Sequence, residues 1–473
     1  MKAKTTFMTC GRVFGAALGL AVLVSAPVAA RAETLADALK SAYLNSGLLD
    51  QNRALLRAAD EDVAQAVSGL RPIIDWTTDV TRDFGRTRTL GRTRNTGTTS
   101  LNLGITASLL LYDFGRSNLV VESTKETVLA TRQTLISIEQ LVLLTGVNAY
   151  MNVIRNSEFV ALRENNLRLL RQELRAAQDR FEVGEVTRTD VAQAEAAVAN
   201  AQSGLAGAQG DLARAVEEFR SAIGRSPGAL STPTVMPNLS NDIQAAKSVA
   251  MRRHPDLLRA QHDVAAAELN IQVAAAAMKP QLNLVGRVGA SEDLSESDLS
   301  RTGSFGVELR GPIYQGGRLS SAKRQAMAQR DAQRGALHLA GLQVTQDVGD
   351  AYANLRAARA SRAASREEVR AATVAFDGVR EEAKLGARTT LDVLDAEQDL
   401  LNAKANLISA NADVVIAAYS VLSSIGELTA KDLNLGVQTY DPNAYYDLVK
   451  TAPVDMSPQG QKLDRVLRAI GKN

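Results

Sequence analysis

The sequence predicts a mainly α-helical fold with a small β part, built from one structural unit that occurs twice. Short motifs recur at a nearly fixed offset of 202 positions along the 473-residue chain. Four short segments alternate apolar and polar residues, as half-buried strands do. Long proline-free stretches rich in Leu, Ala, Arg and Glu read as helices far longer than a globular core requires.

Composition excludes several classes of protein. The 54 Lys and Arg residues nearly balance the 52 Asp and Glu residues, whereas a nucleic-acid-binding protein would carry a concentrated basic excess. One cysteine rules out a disulfide framework and a cysteine-based zinc site. Aromatic residues make up only 4%, which is low for a large enzyme core. We therefore expect no nucleic-acid partner and a core organised by something other than bulky rings.

The N-terminus has the order of a secretory signal peptide. Basic residues such as Lys2 and Arg12 precede an apolar run over 13–24, and small residues around Ala32 follow. The run is too short to span a bilayer, so residues 1–32 are predicted to be a signal peptide; a buried N-terminal helix is the weaker alternative.

Removal of this peptide changes the chemistry of the chain. It takes away Cys10 and four basic residues but no acid, so the net charge falls from +2 to −2. No later segment has about eighteen consecutive apolar residues, so we expect no membrane-spanning helix. An exported chain of this kind is either soluble or held in a membrane by a β-barrel.

Two repeats follow, which we place at 33–227 and 241–434, with a proline-containing linker at 228–240 and a C-terminal periplasmic tail at 435–473. The equivalent residues at the offset of 202 include Tyr112/Tyr314, Gly115/Gly317, Gly184/Gly386, Asp190/Asp392 and Gly224/Gly426. Chance does not produce so many coincidences, and an internal repeat indicates one structural unit used twice.

Each repeat contains two strand segments. Leu101, Leu103 and Ile105 alternate with polar neighbours, and the four predicted strands cover about 72–84, 100–112, 280–290 and 303–314. The intervening polar segments, 82–99 and 291–302, are predicted to be loops. Sandwich hairpins and tilted membrane strands both fit this alternation. Four strands cannot close a barrel, so a membrane barrel would require several copies of the chain.

The helical segments follow the strands in each repeat. A helix over 116–181 would be roughly 100 Å long. The shorter helix after it carries large residues and alanine in a heptad pattern, which defines a coiled-coil seam. The predicted order is long helix, turn and shorter helix, at 116–181, 182–189 and 190–224 in the first repeat and at 318–384, 385–390 and 391–426 in the second.

The two turns contain the residues with the strongest local signals. Gly184 and Gly386 interrupt helical patterns, as expected where a helix ends and the chain reverses. Thr189 and Asp190 are expected to cap the returning helix, with a functional role equally open. Asp392 and Asp395 are three residues apart on the predicted helix 391–426 and so share a face. They are either a solvated surface pair or, repeated around an oligomer axis, acidic rings in a pore.

These features resemble the TolC family of outer-membrane channels over nearly the whole chain to about Leu435. The most specific segments are Phe181 to Val191 and Leu385 to Glu397, which are similar to the family's two turns at the periplasmic tip. The amino-acid sequence of the first turn is most similar to that of members that serve type I secretion. The resemblance implies a homotrimer whose twelve strands form one outer-membrane β-barrel, continued through the periplasm by a helical barrel.

The resemblance also assigns roles to tip residues. It implies a pore constriction at Asp392 and Asp395, and gate contacts from Arg388 with Thr189 and Asp190. The turn residues implied for adaptor docking are Val183, Gly184, Glu185, Leu385, Gly386 and Ala387. Where the family carries a gating tyrosine, this chain has Ala383, so the closed state is expected to depend more on Arg388.

No enzyme signature is present in the sequence. The three histidines (His254, His262 and His338) lack metal-ligand spacing, and no phosphate-binding loop of the Gly-Lys-Ser/Thr type occurs. We expect no enzyme activity, no cofactor and no metal, so energy must come from a partner.

The predicted function is a passive outer-membrane exit duct of a tripartite export machine. The resemblance implies a periplasmic adaptor and an inner-membrane ABC exporter or proton-driven pump as partners, beside outer-membrane lipid. Type I protein secretion is the leading hypothesis, and multidrug or small-molecule efflux is the alternative. A periplasmic coiled-coil structural protein is the remote alternative, and an exported hydrolase is the poorest.

Overall fold

The computed structural model describes residues 32–233, 235–294 and 298–469. The predicted signal peptide lies outside the described residues, apart from Ala32.

The two halves have the same order of helices and strands. In the first half the elements are α1 (Leu35–Asn45), α2 (Gly47–Ser68), β1 (Ile73–Thr89), β2 (Arg92–Tyr112), α3 (Arg116–Glu182) and α4 (Arg188–Ile223). In the second they are α5 (Ile243–Arg253), α6 (Pro255–Ala276), β3 (Gln281–Asp293), β4 (Asp298–Arg310), α7 (Arg318–Lys384) and α8 (Thr390–Ile425). Two helices follow, α9 (Pro442–Val449) and α10 (Pro458–Ala469). The long helices α3 and α7 each have 67 residues, and α4 and α8 each have 36.

The strands form one antiparallel sheet in the order β1-β2-β3-β4. The central pair, β2 with β3, joins the two halves of the chain. Within the described residues no strand lies against the outer edge of β1 or of β4. A sheet that ends this way presents two rows of backbone donors and acceptors to its surroundings.

The strands of the first half are longer than the sequence predicted. The segment 82–99, expected as a polar loop, continues the β1–β2 ladder to a two-residue turn at Leu90 and Gly91, where both residues have positive φ. Most of 291–302 likewise pairs in β3 and β4. Alternating Thr and Arg side chains support an extended backbone without an apolar face, so hydropathy alone missed these extensions. The predicted end of β4 was also too late, because Pro312 lacks the N–H that a ladder needs.

One face of the sheet is apolar and exposed. Trp76, Ile105 and Val288 lie side by side on adjacent strands, with 74%, 54% and 68% of their surfaces accessible. On the opposite face the neighbouring row contains Asp75 beside Thr106. An apolar patch of this extent marks a surface that contacts lipid or another protein.

The main core lies where the two halves meet, between α1, α3, α4 and α8. Tyr150 and Phe219 are fully buried at its centre. The Tyr150 hydroxyl lies 2.6 Å from the carbonyl oxygen of Ser231 and so ties α3 to the linker. Its counterpart Tyr352 donates to the Ser240 carbonyl at 2.9 Å. The repeated tyrosine therefore anchors the linker to both long helices.

Two helices, α3 and α8, each contain an 18-residue stretch apolar enough to cross a membrane by length and composition. The sequence predicted no such helix, because neither stretch is an uninterrupted apolar run. About half of each stretch is buried against other helices of the chain. Because the core helix of a soluble protein passes the same test, this is weak evidence for a membrane-spanning helix.

The C-terminal segment packs on the helices near the sheet. Tyr445 and Val449 of α9 are buried against Ala64 of α2, and the Tyr445 hydroxyl donates to the Glu61 carboxylate at 2.6 Å. Arg132 of α3 donates to the Asn443 side chain at 2.8 Å. Residues 442–449 are therefore held by both apolar and polar contacts.

Gly224 and Gly184 allow a matched test of helix termination. Both have a left-handed backbone, with φ of +84° and +82°. A side chain at Gly224 would meet Cβ of Asn45 at 2.6 Å, whereas one at Gly184 would meet nothing within 4 Å. We expect Gly184→Ala to cost about 1–2 kcal/mol for left-handed strain alone and Gly224→Ala to cost clearly more. Urea unfolding of the detergent-solubilised protein measures both, and equal costs would contradict the packing at Asn45.

Candidate functional site: the helical tip

The first tip turn (182–189) reverses the chain between α3 and α4. Gly184 adopts a left-handed conformation, and its N–H donates to the Phe181 carbonyl at 3.0 Å. The N–H of Glu185 donates to the Arg180 carbonyl at 2.9 Å. These bonds satisfy the last carbonyls of α3, as a glycine-terminated helix requires.

The returning helix α4 begins with a capping box made by Thr187 and Asp190. The Thr187 hydroxyl accepts from the Asp190 N–H at 3.3 Å, and the Asp190 carboxylate accepts from the Thr187 N–H at 2.8 Å and hydroxyl at 2.7 Å. Bonding to Thr187 lowers the pKa of Asp190. The prediction that Thr189 caps the helix was wrong, since Thr189 lies exposed in the first turn. The T-x-x-D spacing was the signal that identifies the cap.

The second tip turn (385–390) repeats this geometry. Thr389 caps α8, and the Asp392 carboxylate accepts from the Thr389 N–H at 2.9 Å and hydroxyl at 2.8 Å. These two bonds lower the pKa of Asp392. Asp392 is thus ionised and locally bound at neutral pH, whereas Asp395, one turn further along α8, is exposed.

Arg388 of the second tip turn and Asp190 at the start of α4 line one cavity of about 540 Å³. The Arg388 Nε donates to Glu382 at 2.8 Å, and this bond raises the pKa of the guanidinium above its usual value. Within the described residues Arg388 and Asp190 do not pair with each other. Thr189 does not line the cavity, although Thr187 and Thr389 do.

Ala383 occupies the centre between the two turns. Its side chain is buried beside Phe376 and Val393, and it lines both the cavity above and a second one of about 440 Å³. The small side chain therefore leaves space where a larger residue would bring α7 into contact with α4. Nearby, Arg380 of α7 pairs with Glu173 of α3 at 3.3 Å, which fixes the two hairpins relative to each other.

Glu397 is a buried carboxylate in the helical wall above the tip. It is 3% exposed, and its Oε1 accepts from the Asn166 side chain of α3 at 2.6 Å. Its Oε2 is buried with no hydrogen-bond partner in the described residues, beside a cavity of about 460 Å³ between α3, α4 and α8. Burial raises the pKa of Glu397 to about 7. Glu397 was not predicted as a functional residue, because a glutamate in a helical heptad gives no signal of burial.

The histidines have local structural contacts. His254 caps α6 by accepting from the Asp256 N–H at 3.2 Å, and burial lowers the pKa of its ring. The ring nitrogen Nδ1 of His262 lies 2.7 Å from the Glu126 carboxylate. In the described part of the chain no three His, Cys, Asp or Glu residues are grouped as a metal site.

An exposed apolar sheet continued by helical hairpins about 100 Å long is the architecture of an outer-membrane channel. Residues 38–225 and 247–427 both match the family model of the outer membrane efflux proteins. The chain therefore belongs to the outer membrane efflux protein family. The double match also follows the two halves of the chain.

Individual relatives agree with this assignment. The chain is 37% identical over 448 residues to the outer membrane efflux protein BepC of Brucella suis biovar 1 (strain 1330), covering 94% of this chain and 97% of that protein. It is 28% identical over 446 residues to the outer membrane protein TolC of Escherichia coli (strain K12), covering 91% and 88%. A crystal structure of CusC matches with a TM-score of 0.71 at 20% identity, covering 83% of this chain and 91% of that one.

These findings confirm the TolC-family resemblance, the mainly helical fold with a small antiparallel sheet, and a location in the outer membrane extending into the periplasm. The protein is an outer-membrane efflux channel of the kind used by tripartite systems. Its relatives are channel proteins rather than enzymes, which is consistent with the lack of catalytic motifs in the sequence.

Capping of α4 and α8 is directly testable. Thr187→Ala and Thr389→Ala should each cost about 1 kcal/mol, because each removes an N-cap. Hydrogen exchange should accelerate at the Asp190 amide in the first variant and at the Asp392 amide in the second. Thr189→Ala is the matched control. Loss of protection in that control would contradict the assignment of the cap to Thr187.

The buried carboxylate predicts a pH-dependent stability. The folded pKa of Glu397, about 7, exceeds the ordinary 4.5, so the folded chain binds more protons between these values and loses stability as pH rises through this window. Glu397→Gln should therefore be more stable than wild type at pH 8, with the difference shrinking toward pH 5. Denaturant midpoints at the two pH values measure this.

The internal repeat supplies the control for this experiment. Glu195, the counterpart of Glu397, is exposed, and Glu195→Gln in the separated monomer should leave the pH profile unchanged. A parallel shift in both variants would show that the effect is not burial.

Proposed function

We propose that three copies of this chain form a passive exit duct through the outer membrane and periplasm. The observation that carries the proposal is the pairing of two 67-residue helices, each reversing at a capped glycine turn, with a sheet whose outer strands have no neighbour in the described residues. Twelve shared strands would form the barrel in the membrane. The helices would continue it as a tube toward the inner membrane.

Backbone chemistry supports closure by other copies. In hydrocarbon every unpaired N–H and C=O costs several kcal/mol, so open sheet edges do not occur there. The edges of β1 and β4 can pair with each other between copies and so close the ring. That the number of copies is three follows from the family, whose channels are trimeric.

The tip would act as the gate. Around a threefold axis Asp392 and Asp395 would form acidic rings, which favour cations in a constriction. Arg388, Asp190 and Thr189 would hold neighbouring hairpins together in the closed state. The turn residues Val183, Gly184, Glu185, Leu385, Gly386 and Ala387 would dock a periplasmic adaptor, with an ABC exporter or a proton-driven pump supplying the energy.

Two classes of cargo are proposed. Polypeptides delivered by a type I secretion system are the first. The amino-acid sequence from Thr187 to Val191 in and after the first tip turn supports this class, because it resembles that of members serving type I secretion. Small molecules are the second, supported by the relative BepC, which is named an efflux protein.

A deletion strain distinguishes the two cargoes. Loss of a secreted polypeptide from the medium, with dye and detergent resistance unchanged, supports the first. Hypersensitivity to dyes and detergents with normal secretion supports the second. Purification of the protein as a soluble monomer, without detergent, would contradict the duct itself.

Charge removal at the constriction predicts a change in selectivity. Asp392→Asn with Asp395→Asn should lower the cation-to-anion permeability ratio in planar bilayers several-fold, because both rings lose their charge. Glu217→Gln with Glu218→Gln, near the far end of α4 from the tip, is the matched two-charge control. An unchanged reversal potential would show that these aspartates do not line the pore.

Arg388→Ala should open the tip. Loss of its charge-assisted bonds should raise single-channel conductance and increase leakage of vancomycin into cells. Lys384→Ala, which removes a neighbouring cation paired with Glu381 on its own helix, should have little effect. Equal conductance in wild type and Arg388→Ala would contradict a gating role.

A further inference from the structure

The two halves of the chain meet along an intrachain seam formed by α3 and α8. Asn166 of α3 donates to Glu397 of α8 at 2.6 Å, and Arg155 of α3 pairs with Asp413 of α8 at 3.3 Å. In the sheet the same junction is the β2–β3 ladder. The seam thus joins the long helix of the first repeat to the short helix of the second.

An internal repeat extends this geometry beyond one chain. If copies stand around an axis, the second repeat of one copy must meet the first repeat of the next, because the same unit recurs. The long helix there is α7 and the short helix is α4 of the partner subunit. Positions on this second seam follow from the offset of 202, so the contacts within one chain serve as a template for contacts between chains.

The template places two carboxylates opposite each other. The counterpart of Asn166 is Glu368, and the counterpart of Glu397 is Glu195. In the described chain Glu368 and Glu195 are both exposed. On its own chain Glu368 accepts from the Asn406 side chain of α8 at both carboxylate oxygens, at 3.3 and 3.5 Å. Each oxygen has a further lone pair with which it can face a neighbour.

Other positions on the template are also less favourable between chains. The ion pair of Arg155 with Asp413 becomes Ala357 opposite Asp211. The residue before Arg155, Ile154, is buried, whereas its counterpart Arg356 is exposed.

We propose that a second copy of this chain docks its α4 on α7 in the register of the intrachain seam, so that Glu195 of the partner subunit faces Glu368. This proposal rests on the proposed trimeric duct. The two carboxylates repel at neutral pH, whereas the intrachain seam has an amide and a carboxylate at the same place. The seam between copies is consequently the weaker of the two, and it is the one along which the tube wall separates first.

Disulfide trapping tests the register, since residues 33–473 contain no cysteine. Glu195→Cys with Glu368→Cys should give covalent dimers and trimers on oxidation, resolved on a denaturing gel. Asn166→Cys with Glu397→Cys should cross-link within one chain and run as a monomer. Glu195→Cys with Glu397→Cys, both on short helices, should give no covalent oligomer.

The outcomes separate the inference from the function on which it rests. A trimer of native mass that forms no disulfide through Cys at 195 and 368 overturns the register and leaves the duct intact. Absence of any trimer in detergent overturns both.

Charge neutralisation tests the strength of the seam. Glu368→Gln should raise the temperature at which the trimer dissociates by several degrees, and Glu195→Gln should do the same. The double variant should gain less than the sum of the two, because either change removes the same repulsion. Glu367→Gln, which removes an adjacent acid paired with Arg370, is the control. A dissociation temperature unchanged in both single variants overturns the proposed carboxylate contact.

Discussion

Hydrogen bonding of the sheet's backbone constrains everything else in this protein. The chain folds β1 to β4 into one row whose inner pairings are complete, and it leaves the outer sides of β1 and β4 without neighbours in the described residues. The same sheet exposes Trp76, Ile105 and Val288 on one face. The hydrocarbon of a membrane can surround an apolar face, but it provides no hydrogen-bond partner for the backbone N–H and C=O groups of an open edge. The sheet of a single chain therefore has backbone groups at both outer edges that other copies would pair in the proposed assembly. The helical hairpins continue from these strands.

At the tip, the carboxylates that the proposed gate would use also make local capping bonds. Asp190 and Asp392 both accept two bonds from a threonine at the start of their own helix. An aspartate bound in this way stays ionised, yet part of its capacity to bind an arginine on another hairpin is already used. Arg388 likewise has Glu382 as a partner nearby. In the proposed gate, opening and closing would exchange one set of charge-assisted bonds for another.

The two halves of the chain are alike in backbone and unlike in side chains. The turns, caps and helix lengths repeat, because helix termination depends on glycine and threonine at fixed positions. The surroundings of equivalent side chains on α4 and α8 do not repeat. Glu397 is buried against Asn166, while its counterpart Glu195 is exposed. In the proposed ring, duplication followed by divergence in this way would give two kinds of contact. One kind is made within each folded chain and the other only on assembly.

Much of the fold was readable from the sequence, because its signals are local. Glycine at Gly184 and Gly386 marks the reversals, and the heptads mark α4 and α8. Alternation found the strands, although it missed the polar extension of β1 and β2, where pairing rather than hydropathy holds the backbone. The cap at Thr187 was misassigned to Thr189, two residues later, although the T-x-x-D spacing from Thr187 to Asp190 predicts a capping box.

What the sequence by itself determined is the order of the helices and strands, the two reversals at Gly184 and Gly386, and the internal repeat, since short-range hydrogen bonding and periodicity decide these. Only the tertiary structure decided that Glu397 is buried, that Ala383 leaves space between the turns, and that Arg388 and Asp190 share a cavity. Those facts depend on how α3, α7 and α8 lie beside one another. Packing between residues about two hundred positions apart leaves no periodic trace along the chain.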